Sequence, residues 1–257
     1  MNRTNEFLRT GKIKPILPKI AHFIFEPFYV DTIPQRWINN LEAFINLHPE
    51  YTIHYWTMPK ALSMIRKHYG DPYVQKIESF AHGILKLDYI RYFILHHFGG
   101  IYVDYDIEWY RRLPLILHNY ELVFVRDEDF RILGQMNNCF MMATPRHQFF
   151  QRCIDTIYES LITEQMFEDT IEFVLYRTGP CLLTQTFLST TNKVKYLSWT
   201  QEAPFHDPDL NLIIIPRAYY TGFDKNITKP STFYHIMEST WVCPTIDPNR
   251  GYGEKKY

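Results

Sequence analysis

Pairs of carboxylates two residues apart are the feature of this 257-residue chain that most directly suggests chemistry. Carboxylate oxygens are preferred ligands of Mg²⁺ and Mn²⁺, and two of them leave coordination positions open for water and substrate phosphates. The same spacing is also common in ordinary solvated turns, so the flanking sequence has to distinguish the pairs. Three Asp-x-Asp pairs occur, at Asp104/Asp106, Asp127/Asp129 and Asp207/Asp209.

Only Asp104 and Asp106 follow a helix, a glycine break and a buried strand. Residues 80–98 are apolar on nearly every side, which predicts a buried helix that Gly99-Gly100 ends. Residues 101–103 then predict a short strand that runs directly into Asp104. Ligands of open α/β sheets bind at the carboxyl ends of strands, so this turn is the strongest candidate for a binding site.

The predicted buried helix also carries two charges, Asp88 and Arg91, three residues apart and therefore on one helix face. Charges on an apolar helix are costly unless they are paired or used. Two interpretations follow. The residues form an internal ion pair with a structural role, or both point toward a polar ligand at the same end of the sheet as the acidic turn.

The rest of the chain alternates predicted strands with predicted helices. This order predicts an α/β fold in which helices pack on a mainly parallel sheet. Gly70 is a plausible stop for the second helix. The strands are predicted at 19–25, 51–56, 101–103, 121–125, 139–143, 212–215 and 233–236, and the helices at 33–47, 59–69, 80–98, 146–161 and 180–188.

Composition narrows the possible classes of protein. The 27 basic and 28 acidic residues give a net charge of -1, which argues against a nucleic-acid partner. The aromatic content of 17% provides either core volume or flat faces for stacking. The four cysteines lack metal-binding spacing and are expected to be buried thiols. No apolar run is long enough to cross a bilayer and the N-terminus is polar, so a soluble, cytoplasmic protein is expected, with peripheral membrane contact allowed.

The stretch 86–107, KLDYIRYFILHHFGGIYVDYDI, resembles the core signature of family 32 glycosyltransferases: an Asp-x-x-Arg helix, then Gly-Gly-x-Tyr, then Asp-x-Asp. That group includes yeast-type initiating mannosyltransferases and bacterial capsule enzymes, and it is related to the large clostridial glucosylating toxins. Further segments resemble the family in the same order, so the resemblance spans about 15–242. They are LPKIAHFIF at 17–25, an Asn-led strand from Asn137, TGPCLLT at 178–184, and a C-terminal His-x-x-x-Ser-x-Trp element at 235–241.

The resemblance implies a single GT-A domain over 1–257. Residues 15–115 would mainly bind the donor, and 116–245 would supply the acceptor side and a C-terminal metal and diphosphate element. It further implies a retaining hexosyltransferase that depends on Mn²⁺ or Mg²⁺. The donor would be UDP-glucose, UDP-galactose or GDP-mannose, and the acceptor a saccharide or another hydroxyl compound in polysaccharide or glycoconjugate synthesis.

The resemblance also implies roles for individual residues. The expected catalytic set is Asp88, Arg91, Asp104 and Asp106, with Asp106 as the direct metal ligand and Asp104 on the donor ribose or on the metal through water. Asp88 and Arg91 would bind donor sugar hydroxyls or the ribose. Phe25 would stack on the base where the family usually has Trp. Tyr102 and Asn138 would line the sugar pocket, Ser239 and Trp241 would reach the metal and diphosphate, and His235 would join the metal shell.

Two alternatives remain at the level of sequence. An apolar strand that ends in Asp-x-Asp also occurs in haloacid-dehalogenase-type phosphatases. That family expects Thr or Val two places after the second Asp, where this chain has Glu108. It also needs a later acidic pair at a strand end, and no Asp-Asp occurs in this chain. The other alternative is a sugar-binding module that has lost catalytic activity.

Overall fold

A seven-stranded sheet organises the fold, which is seen in a computed structural model that describes residues 16–25, 33–126, 135–191, 196, 204–216 and 232–235. The strand order is β2-β1-β3-β6-β5-β8-β7, and β4 pairs with β9 in a separate two-stranded sheet. The strands are β1 (Ile20–Ile24), β2 (Thr52–Trp56), β3 (Gly100–Val103), β4 (Ile107–Trp109), β5 (Leu122–Arg126), β6 (Met136–Ala143), β7 (Phe205–Asp207), β8 (Leu212–Ile215) and β9 (Phe233–His235).

Five of the seven strands in the large sheet run in the same direction. β1 is parallel to β2 and β3, and β5 is parallel to β8. β6 runs antiparallel between β3 and β5, and β7 is antiparallel to β8 at the edge. The predicted mainly parallel sheet is therefore confirmed. Its short, continuous apolar strands, such as LIII in β8, are typical of sheets covered on both faces.

The described α-helices are α1 (Gln35–Leu47), α2 (Met58–Tyr69), α3 (Asp71–Glu78), α4 (Gly83–Phe98), α5 (Gln148–Glu159), α6 (Thr170–Arg177) and α7 (Pro180–Leu188).

Both faces of the sheet are buried. One core cluster joins the sheet to α2 through α7, and a second joins the other face to α1 and the β4–β9 ribbon. Successive residues alternate between the clusters, as Tyr102 and Phe124 belong to the first and Ile101 and Val103 to the second.

The predicted elements are present, with ends shifted by a few residues, and the described residues add two short strands, two short α-helices and two 3₁₀ helices. β4 and β7 have three residues each, too few for a period-two pattern to appear. α3 begins at Asp71, immediately after the predicted stop at Gly70, and α6 is an eight-residue helix capped by Asp169. None of the described helices is both long and apolar enough to span a membrane. Three cysteines, Cys139, Cys153 and Cys181, are buried free thiols, as expected.

The central helix α4 is buried on nearly every side, as its sequence predicts. Gly99 and Gly100, with φ of 64° and 86°, reverse the chain from α4 into β3. A Cβ atom on Gly100 would lie 2.3 Å from the carbonyl oxygen of Ile20 in β1. This reversal places the first half of α4 beside the carboxyl end of β3, where the acidic turn begins.

We expect Gly100→Ala to lower the free energy of unfolding by about 4 kcal/mol, because it adds both a backbone clash and an unfavourable φ. Gly70→Ala is the matched control: φ is 103°, but the nearest heavy atom to an added Cβ is Pro72 Cδ at 3.5 Å. Strain alone should cost about 1–2 kcal/mol there. Chemical denaturation of both variants measures the difference, and equal losses would contradict the steric explanation.

Candidate active site

The acidic turn lies at the carboxyl end of β3 and is held from two sides. The backbone N–H of Asp104 donates to the carbonyl of Cys139 in β6 at 2.9 Å. The side-chain amide of Asn40 in α1 donates to the carbonyl of Tyr105 at 2.9 Å. The carboxylates of Asp104 and Asp106 are both partly exposed at this edge. The turn therefore presents two carboxylates on a backbone that the sheet and a helix both fix.

The pair at Asp207 and Asp209 has a different environment. Oδ1 of Asp207 accepts from the backbone N–H groups of Asp209 and Leu210 at 3.0 and 3.3 Å, and Oδ2 accepts from the Thr191 hydroxyl. These bonds form the turn between β7 and β8, which is a common role of aspartate. Asp127 and Asp129 lie outside the described residues. Of the two described pairs, only the one after β3 leads into a cluster of further charged groups.

Directly behind the turn, Asp88 and Arg91 of α4 form a buried ion pair. Arg91 Nη2 lies 3.0 Å from Asp88 Oδ1, and each side chain is only 4% exposed. Arg91 Nη1 donates to the carbonyl of Asn138 at 2.9 Å and lies 3.5 Å from Asp104 Oδ1. The Asn138 amide donates to Asp88 Oδ1, and the Thr178 hydroxyl to Asp88 Oδ2, both at 3.0 Å. The ion pair is thus internal, and it also extends to the acidic turn.

Tyr102 supports the same cluster from within β3. Its hydroxyl donates to Asp104 Oδ1, and its ring lies under the Arg91 guanidinium, 4.6 Å from the guanidinium carbon. Tyr102 is 3% exposed, so in this structure it forms part of the floor of the site. Its expected role in the sugar pocket stays a prediction, as do the donor-binding roles of Asp88, Arg91 and Asn138.

Burial and charge set the protonation of this cluster. Burial raises the pKa of Asp88, while Arg91 and the Thr178 and Asn138 donors act against that rise. Burial also raises the pKa of Tyr102 well above its ordinary value, which keeps its hydroxyl a donor. Burial by itself lowers the pKa of Arg91, but Asp104, Tyr102 and Asp88 outweigh it and the pKa rises. Arg91 is therefore a permanent cation between two carboxylates.

Three partly exposed aromatic side chains lie beside the acidic turn: Phe25, Trp37 and Tyr105. The Trp37 and Tyr105 rings stack with centroids 5.9 Å apart and planes 23° apart. The Phe25 ring is edge-on to both, at 6.5 and 6.2 Å. The sequence pointed to Phe25 alone as a stacking face. Tyr105 is the middle residue of the acidic motif, and that position could have indicated it.

The donor atoms at this edge fit a hard divalent cation. Asp104 and Asp106 supply carboxylate oxygens, and two ligands are too few to close a coordination shell. Within the described residues, no group of three or more His, Cys, Asp or Glu side chains could hold a metal. His235, whose side chain is not described, lies in β9 opposite Ile107, which directly follows Asp106. Ser239 and Trp241 lie outside the described residues, so their predicted roles stay predictions.

Comparison with known proteins agrees with this geometry. Residues 34–123, which contain the acidic turn and α4, match the family described as glycosyltransferase sugar-binding region containing DXD motif. This part of the chain is therefore similar to the sugar-binding region of the DXD glycosyltransferases. The resemblance predicted from the sequence is confirmed, and the phosphatase alternative is set aside.

The curated relatives with significant similarity are fungal mannosyltransferases by name. Mannosyl phosphorylinositol ceramide synthase CSH1 of Saccharomyces cerevisiae is 33% identical over 159 residues, covering 61% of this chain and 40% of that protein. Inositol phosphoceramide mannosyltransferase 1 of Schizosaccharomyces pombe is 28% identical over 228 residues, covering 88% of this chain and 62% of that protein. The chain thus spans less than two thirds of the length of these relatives.

A solved structure shows the same fold. The ligand-free glycosyltransferase domain from the YGT toxin superposes with a TM-score of 0.50 at 8% identity, over 68% of this chain and 78% of that domain. The predicted GT-A class is therefore confirmed.

The buried cluster gives a sharp stability prediction. Arg91→Met should lower the free energy of unfolding by about 3–5 kcal/mol, because it leaves Asp88 buried without its cation. Adding Asp88→Asn to that variant should restore part of the loss. The control is Arg66→Met, which breaks an exposed ion pair of 2.7 Å with Asp71 and should cost less than about 1 kcal/mol. Denaturant unfolding measures all three, and similar losses for both single variants would contradict the assigned role of burial.

Proposed function

We propose that this chain is a metal-dependent, retaining glycosyltransferase that moves a hexose from a nucleotide diphosphate sugar to a hydroxyl acceptor. The observation that carries the proposal is the pair of partly exposed carboxylates at the carboxyl end of β3, backed by the buried Asp88–Arg91 pair. The match of residues 34–123 to the DXD glycosyltransferases supports it.

Cleavage of such a donor leaves a nucleoside diphosphate, whose growing negative charge needs compensation. A bound Mn²⁺ or Mg²⁺ supplies that compensation as a Lewis acid. Asp106 is the proposed direct ligand, as the resemblance to the family implies, while Asp104 accepts from Tyr102 and contacts Arg91. Asp104 would contact the donor ribose, or the cation through water. His235 and Ser239 are proposed additional ligands, and Trp241 a donor to the diphosphate.

The donor sugar is proposed to lie over the floor formed by Asp88, Arg91, Tyr102 and Asn138. Within the described structure, Arg91 Nε is buried and has no hydrogen-bond partner, so this guanidinium keeps one donor unused. A buried donor without a partner is costly and is well suited to a polar ligand. The base is proposed to stack on the aromatic surface of Phe25, Trp37 and Tyr105, whose exposed faces adjoin the turn.

Retention is proposed to proceed by attack on the same face as the departing diphosphate, which accepts the acceptor's proton. Asp88 is the carboxylate in the floor of the site. Its Oδ1 accepts from Arg91 and Asn138, and its Oδ2 accepts from Thr178. A carboxylate engaged in this way is a poor nucleophile. Trapping and sequencing a glycosylated carboxylate of the enzyme would overturn this proposal.

The names of the relatives narrow the substrates to test first. Both are mannosyl enzymes, so GDP-mannose is the first donor, followed by UDP-glucose and UDP-galactose. Their names also point to an inositol phosphoceramide acceptor. We therefore propose an acceptor hydroxyl in a glycoconjugate of that type or in a saccharide, and peripheral membrane contact would suit a lipid acceptor. A cytoplasmic location stays a prediction.

The remaining alternative is an inactive sugar-binding module. A transferase hydrolyses its donor slowly without acceptor, whereas a pure binding module binds nucleotide sugar and Mn²⁺ without turnover. Calorimetry and donor hydrolysis on the same preparation distinguish the two.

Asp106→Asn should reduce Mn²⁺-dependent donor hydrolysis at least about a hundredfold, because a ligand that balances charge in the transition state is lost. The fold should be unchanged, since Asp106 lies in a turn and not in the core. Asp209→Asn, an exposed aspartate of the β7–β8 turn, is the control and should leave turnover unchanged. Turnover near the wild-type level in Asp106→Asn would refute the metal assignment.

Trp37→Leu should raise the KM for the nucleotide sugar about tenfold, as stacking on a base contributes about 1–3 kcal/mol. Tyr158→Leu removes a ring that is 39% exposed on α5 and serves as the control. Steady-state hydrolysis over a range of donor concentrations measures both. An unchanged KM in Trp37→Leu would remove this ring from the base site.

A further inference from the structure

The turn between α6 and α7 reaches the buried cluster from a part of the chain 70 residues beyond the acidic motif. Thr178, at this turn, is fully buried. Its hydroxyl donates to Asp88 Oδ2 at 3.0 Å. The other hydrogen-bonding partners of that carboxylate, Arg91 and Asn138, both contact Oδ1. Thr178 therefore fixes the second oxygen of Asp88 and with it the plane of the carboxylate.

The backbone of Thr178 is itself held rigidly. Its carbonyl accepts from the Tyr92 hydroxyl in α4 at 2.7 Å, and its N–H donates to the carbonyl of Val174 at 3.2 Å. Gly179 follows under tight packing, because an added Cβ would lie 3.1 Å from the Val174 carbonyl oxygen and from Leu175 Cα. The hydroxyl of Thr178 thus occupies a fixed position relative to α4.

A continuous path of polar contacts runs from the α6–α7 turn to the acidic turn. Thr178 contacts Asp88, Asp88 contacts Arg91, and Arg91 contacts Asp104. The position of Arg91 depends on the plane of the Asp88 carboxylate, because Arg91 Nη2 lies 3.0 Å from Asp88 Oδ1. Loss of the Thr178 hydroxyl would leave the Asp88 carboxylate held only through Oδ1, so its plane, and with it the position of Arg91 relative to Asp104, would be less well fixed.

We propose that Thr178 is a positioning residue for binding of the metal and donor: its hydroxyl orients Asp88, which orients Asp104 through Arg91. This inference rests on the proposed function of the acidic turn. It assigns no direct contact between Thr178 and the substrate.

Thr178→Val keeps the shape of the side chain and removes the hydroxyl. We expect it to weaken binding of Mn²⁺ with GDP or UDP about tenfold in calorimetry, and to raise the donor KM by a similar factor, with a smaller change in kcat. Thr178→Ser keeps the hydroxyl and should stay within about threefold of wild type. Thr186→Val is the matched control: Thr186 is 6% exposed on α7, and its hydroxyl contacts Cys153 instead of Asp88.

A purely structural role predicts a different result. Thr178→Val and Thr186→Val would then both lower the melting temperature, and Thr178→Val would leave Mn²⁺ affinity and donor KM at wild-type values. That result would overturn the proposal. If Thr178→Val does not fold, Tyr92→Phe takes its place, because it releases the Thr178 carbonyl; unchanged Mn²⁺ affinity in Tyr92→Phe would equally overturn it.

The same experiment separates this inference from the proposed function. If wild type binds Mn²⁺ with a nucleoside diphosphate but hydrolyses no nucleotide sugar, the transferase proposal fails and the affinity comparison still tests Thr178. If wild type binds no Mn²⁺ with either nucleotide, both proposals fail.

Discussion

The guanidinium of Arg91 connects the buried core of this protein to the acidic turn. It lies 3.0 Å from Asp88 and 3.5 Å from Asp104, and both it and Asp88 are almost fully buried. A buried charge is tolerated only when it is paired and hydrogen-bonded, and here the pairing also fixes geometry. Because Asp104 starts the acidic turn, the direction in which that turn presents its carboxylates depends on where α4 holds Arg91.

The Gly99-Gly100 reversal makes this connection possible. A helix buried on nearly every side has no freedom to shift, and its last residue is followed within two positions by β3, an interior strand of the sheet. Gly100 has a positive φ, and a Cβ atom added to it would lie 2.3 Å from a carbonyl oxygen in β1. Only glycine fits such a backbone. The short reversal keeps α4 and β3 in a fixed relation, so Arg91 meets Asp104 thirteen residues further along the chain. The hydrophobic core therefore aligns the polar site.

The sequence was most informative where the local pattern and the tertiary role agree. The apolar periodicity of 80–98 and the run at 101–103 predicted α4 and β3, because burial on all sides leaves an unbroken apolar signal. The spacing in the sequence also predicted that Asp88 and Arg91 share a helix face. It did not distinguish an internal ion pair from a ligand-binding site. Pairing depends on Thr178 and Asn138, which lie 90 and 50 residues from Asp88. β4, β7 and α3 gave no usable period, and the stacking of Trp37 on Tyr105 depends on where α1 docks.

The proposed function requires a chain with a net charge of -1 to bind a phosphorylated substrate. A broad basic surface would attract any polyanion, whereas two carboxylates at a strand end attract phosphate only after a divalent cation has bound. Arg91 is a positive charge at the site, but it is buried between Asp88 and Asp104 and is largely compensated by them. In the proposed function, the bound cation selects the diphosphate, and flat aromatic faces and neutral donors recognise the rest of the nucleotide sugar. The aromatic rings of Phe25, Trp37 and Tyr105 beside the acidic turn fit that proposal.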